Sequence, residues 1–308
     1  MKKITVVGSF VMDLIGLVDT FPKEGETVIG KTMKTLHGGK GANQAVSAAR
    51  LGGDVQMIGK LGKDGYGQSF RDLFADENID ISGVLSSDTE PTALGLIQID
   101  KNGENKIVVI PGANFDFKLE ELEKNRDVLK ASSLVVTQLE LKHEVTFRLI
   151  DICYDLNVPL ILNPAPGVEI PKKYLEKITY LTPNETELEI LSGIKVIDIE
   201  SAKGAINKLL DIGVENVIAT LGSKGALIGN KDGFKHIKGY SVQVVDTIGA
   251  GDSFNGALAY CIVNGTSLEE AVKYANAVGA LTVTGNGAIP SLPRKEVVDK
   301  FIKDNPLI

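Results

Sequence analysis

The sequence predicts an α/β fold: a mostly parallel sheet covered by helices, with a small accessory sheet outside it. Two observations carry that expectation. Short apolar runs with strand character alternate with helix-like segments, and two places break the alternation with strand pairs that have no helix between them.

Taken in chain order, Ile4–Val7 is a first apolar strand. Glu26–His37 then reads as a hairpin outside the main sheet, followed by a helix over Ala42–Leu51, a strand over Val55–Ile58 and a helix over Tyr66–Glu77. Within Thr92–Ile110, Leu94–Ile99 and Lys106–Ile110 flank the turn signal Lys101-Asn102-Gly103-Glu104, which gives a second hairpin. The strand Leu134–Thr137, the helix Val145–Leu156 and the strands Leu160–Leu162 and Val217–Thr220 resume the alternation. Two hairpins without helices form a small accessory sheet, and a lid that keeps water from a reactive phosphate is one use for it; ordinary edge strands are the other reading. No internal repeat, low-complexity tract or interdomain linker interrupts the 308 residues.

Composition narrows the function. Hydrophobic residues make up 43% of the chain, enough for a large core, and a net charge of −7 argues against a broad nucleic-acid or anionic-membrane surface. Cys153 and Cys261 are too few for a disulfide scaffold, and three scattered histidines lack metal-ligand spacing. No apolar run reaches the ~20 residues of a membrane helix and no signal-peptide pattern is seen, so a cytoplasmic location is expected.

The most informative segment is Asp246-Thr247-Ile248-Gly249-Ala250-Gly251-Asp252, where a helix begins. Gly249, Ala250 and Gly251 put little side-chain bulk between a ligand and the backbone, and the first helical turn leaves N–H donors unpaired and carries partial positive charge. A phosphate suits that place, whereas the Asp252 carboxylate would repel one. Asp252 is better read as the acceptor of a proton from an incoming hydroxyl, and the segment as phosphoryl transfer to an alcohol. A helix-capping carboxylate is the plain alternative. The second cluster, His37-Gly38-Gly39-Lys40-Gly41-Ala42-Asn43-Gln44, permits tight turns and supplies polar contacts through Lys40, Asn43 and Gln44. It is not a Walker A loop, because Gly41 follows Lys40, and a dinucleotide fingerprint is also missing.

Together, Gly38–Ala45, Asn163-Pro164-Ala165-Pro166, Pro183-Asn184-Glu185-Thr186-Glu187, Thr220-Leu221-Gly222-Ser223-Lys224-Gly225 and Asp246–Asp252 closely resemble the ribokinase family of sugar kinases, in order and over nearly the whole chain. The resemblance implies a doubly wound, mostly parallel α/β sheet flanked by helices, with a small β-sheet lid: a single ribokinase-like domain over 1–308, with lid strands inserted from about 14–37 and 92–112. It implies that Asp252 deprotonates a sugar hydroxyl attacking the γ-phosphate of ATP while the N–H groups of Gly249, Ala250 and Gly251 hold the developing charge. Asp13, Gly39, Lys40, Asn43 and Glu140 match sugar-contacting positions. Asn184, Thr220, Gly222, Ser223, Gly225, Gly251 and Asn276 match the nucleotide site, and Asn184 and Glu187 would organise Mg²⁺ through water. A monovalent cation, K⁺, would be held by Asp246 with carbonyls of Ile248, Thr282, Gly285 and Gly287 and with Ser291 nearby, reinforcing the positive field of the loop. A homodimer through the lid strands is implied as well.

One position departs from the pattern. Many ribokinases carry asparagine where this chain has Val11, two residues before Asp13. An apolar residue there resembles the deoxyribokinase branch, and a site without the amide no longer penalises a sugar without the 2-hydroxyl. The implied activity is ATP-dependent phosphorylation of the 5-hydroxyl of D-ribose, with 2-deoxy-D-ribose, another sugar or a nucleoside as the alternative acceptor.

Overall fold

Alternation of side chains across one sheet sets the architecture of the computed structural model, which describes residues 2–306. The strands in chain order are β1 (Lys3–Val7), β2 (Val11–Leu17), β3 (Thr32–Gly38), β4 (Asp54–Gly62), β5 (Asp80–Ser87), β6 (Leu94–Ile99) and β7 (Asn105–Ile110). They continue as β8 (Leu134–Thr137), β9 (Leu160–Leu162), β10 (Tyr180–Leu181), β11 (Asn216–Thr220), β12 (Ala226–Asn230) and β13 (Gly233–Ile237). Nine of them form the central sheet in the order β13-β12-β11-β10-β9-β8-β1-β4-β5, parallel from β11 through β5 and antiparallel over β12 and β13.

Both faces of this sheet are covered. Ile4, Val6, Leu134, Val136, Ile161 and Ile218 join one buried cluster, while Val7, Val135, Leu160, Leu162 and Val217 join the other. Strands buried on both sides read as continuous apolar runs, which is why these segments are legible in sequence. The first layer holds the helices Lys40–Arg50, Ala250–Val263, Leu268–Thr282 and Lys295–Asp304; the second holds His143–Asp155 and Ile199–Ile212. The chain starts at β1, builds outward through β4 and β5, and then returns to β1's other side with β8. Strand order therefore reverses beside β1, and the crevice at the C-terminal ends of β1 and β8 is the place where such sheets bind ligands.

The smaller sheet runs β3-β2-β6-β7, with β2 and β6 parallel at its centre and antiparallel partners outside. The second expected hairpin is present as β6 and β7. The first needs correction: the partner of β3 is β2, starting at Val11, and residues 26–31 lie outside any strand. Asp13 and Gly16 break the apolar run of Val11–Leu17, and the 14 residues from 18 to 31 separate the paired strands, so no tight turn marks the hairpin. The inserted lid thus begins at Val11 rather than near residue 14, and Asp13 is a lid residue. Among the described residues, no helix is long and apolar enough to cross a membrane.

Candidate active site

The helix Ala250–Val263 begins at Gly249, whose left-handed backbone (φ 80°) turns the chain into the first turn. A side chain here would be strained and would meet Ala288 Cα at 3.0 Å. Behind this turn the N–H of Ala250 reaches Thr247 only weakly at 3.4 Å, and those of Gly249, Gly251 and Asp252 have no acceptor among the described residues. These are unpaired donors at the positive end of a 14-residue helix.

Asp252 lies in that turn, 7% exposed, and does not cap the helix. Its Oδ2 accepts from Asn43 Nδ2 at 2.8 Å and its Oδ1 from Gln44 Nε2 at 3.1 Å, both from the Lys40–Arg50 helix. The capping alternative is therefore set aside: the carboxylate faces another helix, held by one amide donor per oxygen. Asn43 spends its amino group on Asp252, and its Oδ1 is buried without a partner.

Lys40, at the start of the same helix, lies among three acids. Burial pulls its ammonium pKa down, but the carboxylates of Asp252, Glu140 and Glu187 outweigh that and hold it above its usual value. Glu140, beyond the end of β8, accepts from Ser9 Oγ at 2.5 Å and from the Lys40 backbone N–H at 2.9 Å. Ser9 in turn accepts from the Gly41 N–H at 3.2 Å, so the glycine cluster is tied to the ends of β1 and β8. Asp13 projects from β2 with no hydrogen-bond partner among the described residues. Burial, and then the neighbouring Glu140 charge, push its carboxyl up to about 7. It fits because Gly38 and Gly95 flank it: a Cβ on Gly38 would stand 2.5 Å from Oδ2, and one on Gly95 would collide with Oδ1. Val11, on the same face of β2, places Cγ1 beside Gly95. The expected sugar contacts Val11, Asp13, Gly39, Lys40, Asn43, Glu140 and Asp252 thus come from the lid, the crevice and the helix start.

On the other side of the cradle is a cleft of about 660 Å³. All seven expected nucleotide residues, Asn184, Thr220, Gly222, Ser223, Gly225, Gly251 and Asn276, line it. A β-bridge joins Asn184 to Thr220. Sequence reasoning missed the apolar wall made by Tyr240, Val244, Phe254 and Val283, which belongs to three separate segments and carries no local motif. It also missed Ser9, whose hydroxyl looks like any loop serine until Glu140 is placed.

Asn184 and Glu187 form a reciprocal helix cap: Asn184 Oδ1 accepts from the Glu187 N–H at 2.8 Å, and Glu187 accepts from the Asn184 N–H and Nδ2, each at 2.9 Å. Burial raises the Glu187 carboxyl pKa, and the Asp252 charge adds to that against its hydrogen bonds and Lys40. The expected cation residues also converge. Asp246 accepts from the N–H groups of Ile248 (3.0 Å) and Gly287 (2.9 Å). Ser291 Oγ donates to Gly287 O, Gly285 packs on Ser291, and the Gly285 N–H donates to Thr282 O at 3.2 Å. Ile248 contributes its N–H here.

A model of the pfkB family carbohydrate kinases matches residues 1–295. The chain is 37% identical over 302 residues to the ribokinase of Haemophilus influenzae, covering 98% of this chain and 99% of that one. It is also 37% identical over 311 residues to the deoxyribokinase of Salmonella typhimurium, covering 98% and 99%. Among solved structures, Arabidopsis thaliana ribokinase complexed with ribose and ATP superposes with a TM-score of 0.91 at 34% identity, covering 97% of this chain and 98% of that one.

Proposed function

Since the chain belongs to the pfkB family of carbohydrate kinases, we propose that it transfers the γ-phosphoryl group of ATP to the 5-hydroxyl of D-ribose. One observation carries this reading: the Asp252 carboxylate, held by Asn43 and Gln44, shares one helix turn with the unpaired N–H groups of Gly249, Gly251 and Asp252, at the edge of a cleft of about 660 Å³. The sugar's 5-hydroxyl approaches Asp252, gives up its proton to the carboxylate, and bonds to the γ-phosphorus as the bond from that phosphorus to the bridging oxygen breaks and ADP leaves, while the N–H groups of Gly249, Ala250 and Gly251 stabilise the charge on the transferring group. Lys40 offsets part of the negative charge of Asp252, Glu140 and Glu187, which lessens the repulsion an anionic nucleotide meets there. Asp13, Asn43 Oδ1 and Glu140 offer acceptors for the remaining sugar hydroxyls.

Mg²⁺ accompanies ATP in this reading and supplies charge neutralisation on the phosphates. The Glu187 carboxylate has lone pairs left after its two hydrogen bonds, enough for water-mediated contact but not for a preformed all-protein cage. The Asp246 carboxylate, the carbonyls of Ile248, Thr282, Gly285 and Gly287 and the nearby Ser291 hydroxyl are an all-oxygen set, the chemistry a monovalent cation takes, and K⁺ there would stiffen the loop before Gly249. The same reading includes a homodimer formed through the lid strands and a cytoplasmic location.

Overall identity does not choose the sugar, because a ribokinase and a deoxyribokinase are equally similar to the chain. Val11 favours a second reading: with no amide beside Asp13, 2-deoxy-D-ribose loses no partner there. Measuring kcat/KM for both sugars decides the ranking, and Asp252→Asn tests the chemistry. We expect turnover of D-ribose that falls about 10²- to 10⁴-fold in the variant, with ATP binding by calorimetry retained. Failure to phosphorylate either sugar, or near wild-type turnover by the variant, overturns the proposal.

A further inference from the structure

We propose that Gln44 is a positioning residue for the Asp252 carboxylate, and that Gln138 fixes the Gln44 amide in the one orientation that serves it. The inference rests on the reading of Asp252 as the base. A carboxylate accepts only, so the Gln44 atom 3.1 Å from Asp252 Oδ1 is the amino nitrogen. The same nitrogen stands 3.1 Å from Asn163 Oδ1, which uses its second hydrogen. Gln44 Oε1 then faces away and accepts from Gln138 Nε2 at 2.7 Å.

The chain of donors therefore runs one way, from Gln138 to Gln44 to Asp252. Gln44 is 0% and Gln138 1% exposed, so water does not substitute for a lost partner. If Gln138 ceased to donate, Gln44 could turn its amide over and present Oε1 to the carboxylate, which would repel it. Gln138 Oε1 is itself buried without a partner, in the space that a Cβ on Gly8 would fill. A fully buried amide with an orphaned oxygen is a costly way to fill a core, which argues that its nitrogen is what the site needs.

The relay also reaches the anion cradle. Asn163 Nδ2 donates to Thr182 O at 3.3 Å, Thr182 Oγ1 donates to Asn255 Oδ1 at 2.7 Å, and Asn255 Nδ2 donates to Gly251 O at 2.8 Å. Base and cradle are thus set by one network, and Gln44 is the member that touches the base.

The test uses the full chain with Gln44→Met, Gln138→Met, the double variant and Asp252→Asn, all close to the native volume. We expect each glutamine single variant to lose about 10- to 100-fold in kcat, part of the roughly 10²- to 10⁴-fold a positioned base contributes. KM for sugar and for ATP should change by less than about threefold, since only the reacting group is disturbed. The double variant should be no slower than Gln44→Met by more than about twofold, because Gln138 acts through Gln44. Unchanged kcat in the single variants beside an inactive Asp252→Asn would overturn this inference alone, and so would losses that multiply in the double variant. Near wild-type turnover by Asp252→Asn would overturn it together with the base. Should Gln44→Met fail to fold, Gln138→Met, which does not touch Asp252, still decides through its kcat-against-KM split.

Discussion

If Asp13 contacts the sugar as proposed, binding and stability pull in opposite directions at this residue. Its carboxylate is held in a half-buried niche with no donor, beside Glu140, so its proton is retained up to about pH 7 rather than the ordinary 3.8. The folded protein therefore binds more protons than the unfolded chain between about pH 4 and 7, and stability contributed by the neutral form is lost as pH rises through that window. Sugar hydroxyls would donate to the ionised form and offset the cost. Asp13→Asn, which cannot ionise, should raise the melting temperature of the ligand-free protein at pH 8 but not at pH 4, while KM for the sugar rises at least about tenfold. Thermal unfolding of both proteins at the two pH values reads this out; a variant destabilised equally at both would sink the account.

At the scale of elements, the lid strand β6 shows how a glycine in a strand can serve the site rather than the fold. Gly95 sits opposite Asp13 in the β2–β6 ladder, and a Cβ there would meet only the end of the Asp13 side chain and, at 3.5 Å, Val11 Cγ1 as its nearest contacts. The carboxylate can rotate away, so the strand survives while the acceptor moves. Gly95→Ala should shift stability by less than about 1 kcal/mol and raise sugar KM about tenfold or more; equal KM with lowered stability would contradict this. The same strands mark what sequence can tell. β1, β8, β9 and β11 are legible because burial on both faces makes them unbroken apolar runs. β2 is not, because Asp13 and Gly16 interrupt its apolar run, and β3 is largely exposed with a polar pattern. The site residues are legible where a backbone motif announces them, as at Gly249–Asp252. Gln44 and Gln138 are visible as polar residues in motifs, but their donor roles arise from contacts across 94 and 208 residues of chain, which no local spacing encodes.

For the whole molecule, reversal of strand order beside β1 brings the glycine clusters, Glu140 and the helix start of Asp252 to one crevice, and the lid supplies the side the central sheet cannot. That lid ends in an open edge. Every residue of β7 is exposed, and Ile107, Val108, Val109 and Ile110 form an uncharged run at 41–60% exposure. Unprotected apolar edges favour pairing with another chain, and a two-fold contact covers the β7 edge of both copies at once. Register ties this edge to Asp13: Val109 pairs with Gly95, and Gly95 with Asp13, so a partner covering Val109 would steady the row that carries the Asp13 carboxylate. The native chain should sediment at twice 32.9 kDa, and the double variant Ile107→Lys, Val109→Lys as a monomer with a higher sugar KM and little change in ATP KM. Lysines at these solvent-facing positions cost the isolated lid little, since they bury no charge there. A native monomer across the micromolar range, or a variant that remains dimeric, would show that the apolar edge is not the assembly surface; a monomeric variant with unchanged sugar KM would separate assembly from the site.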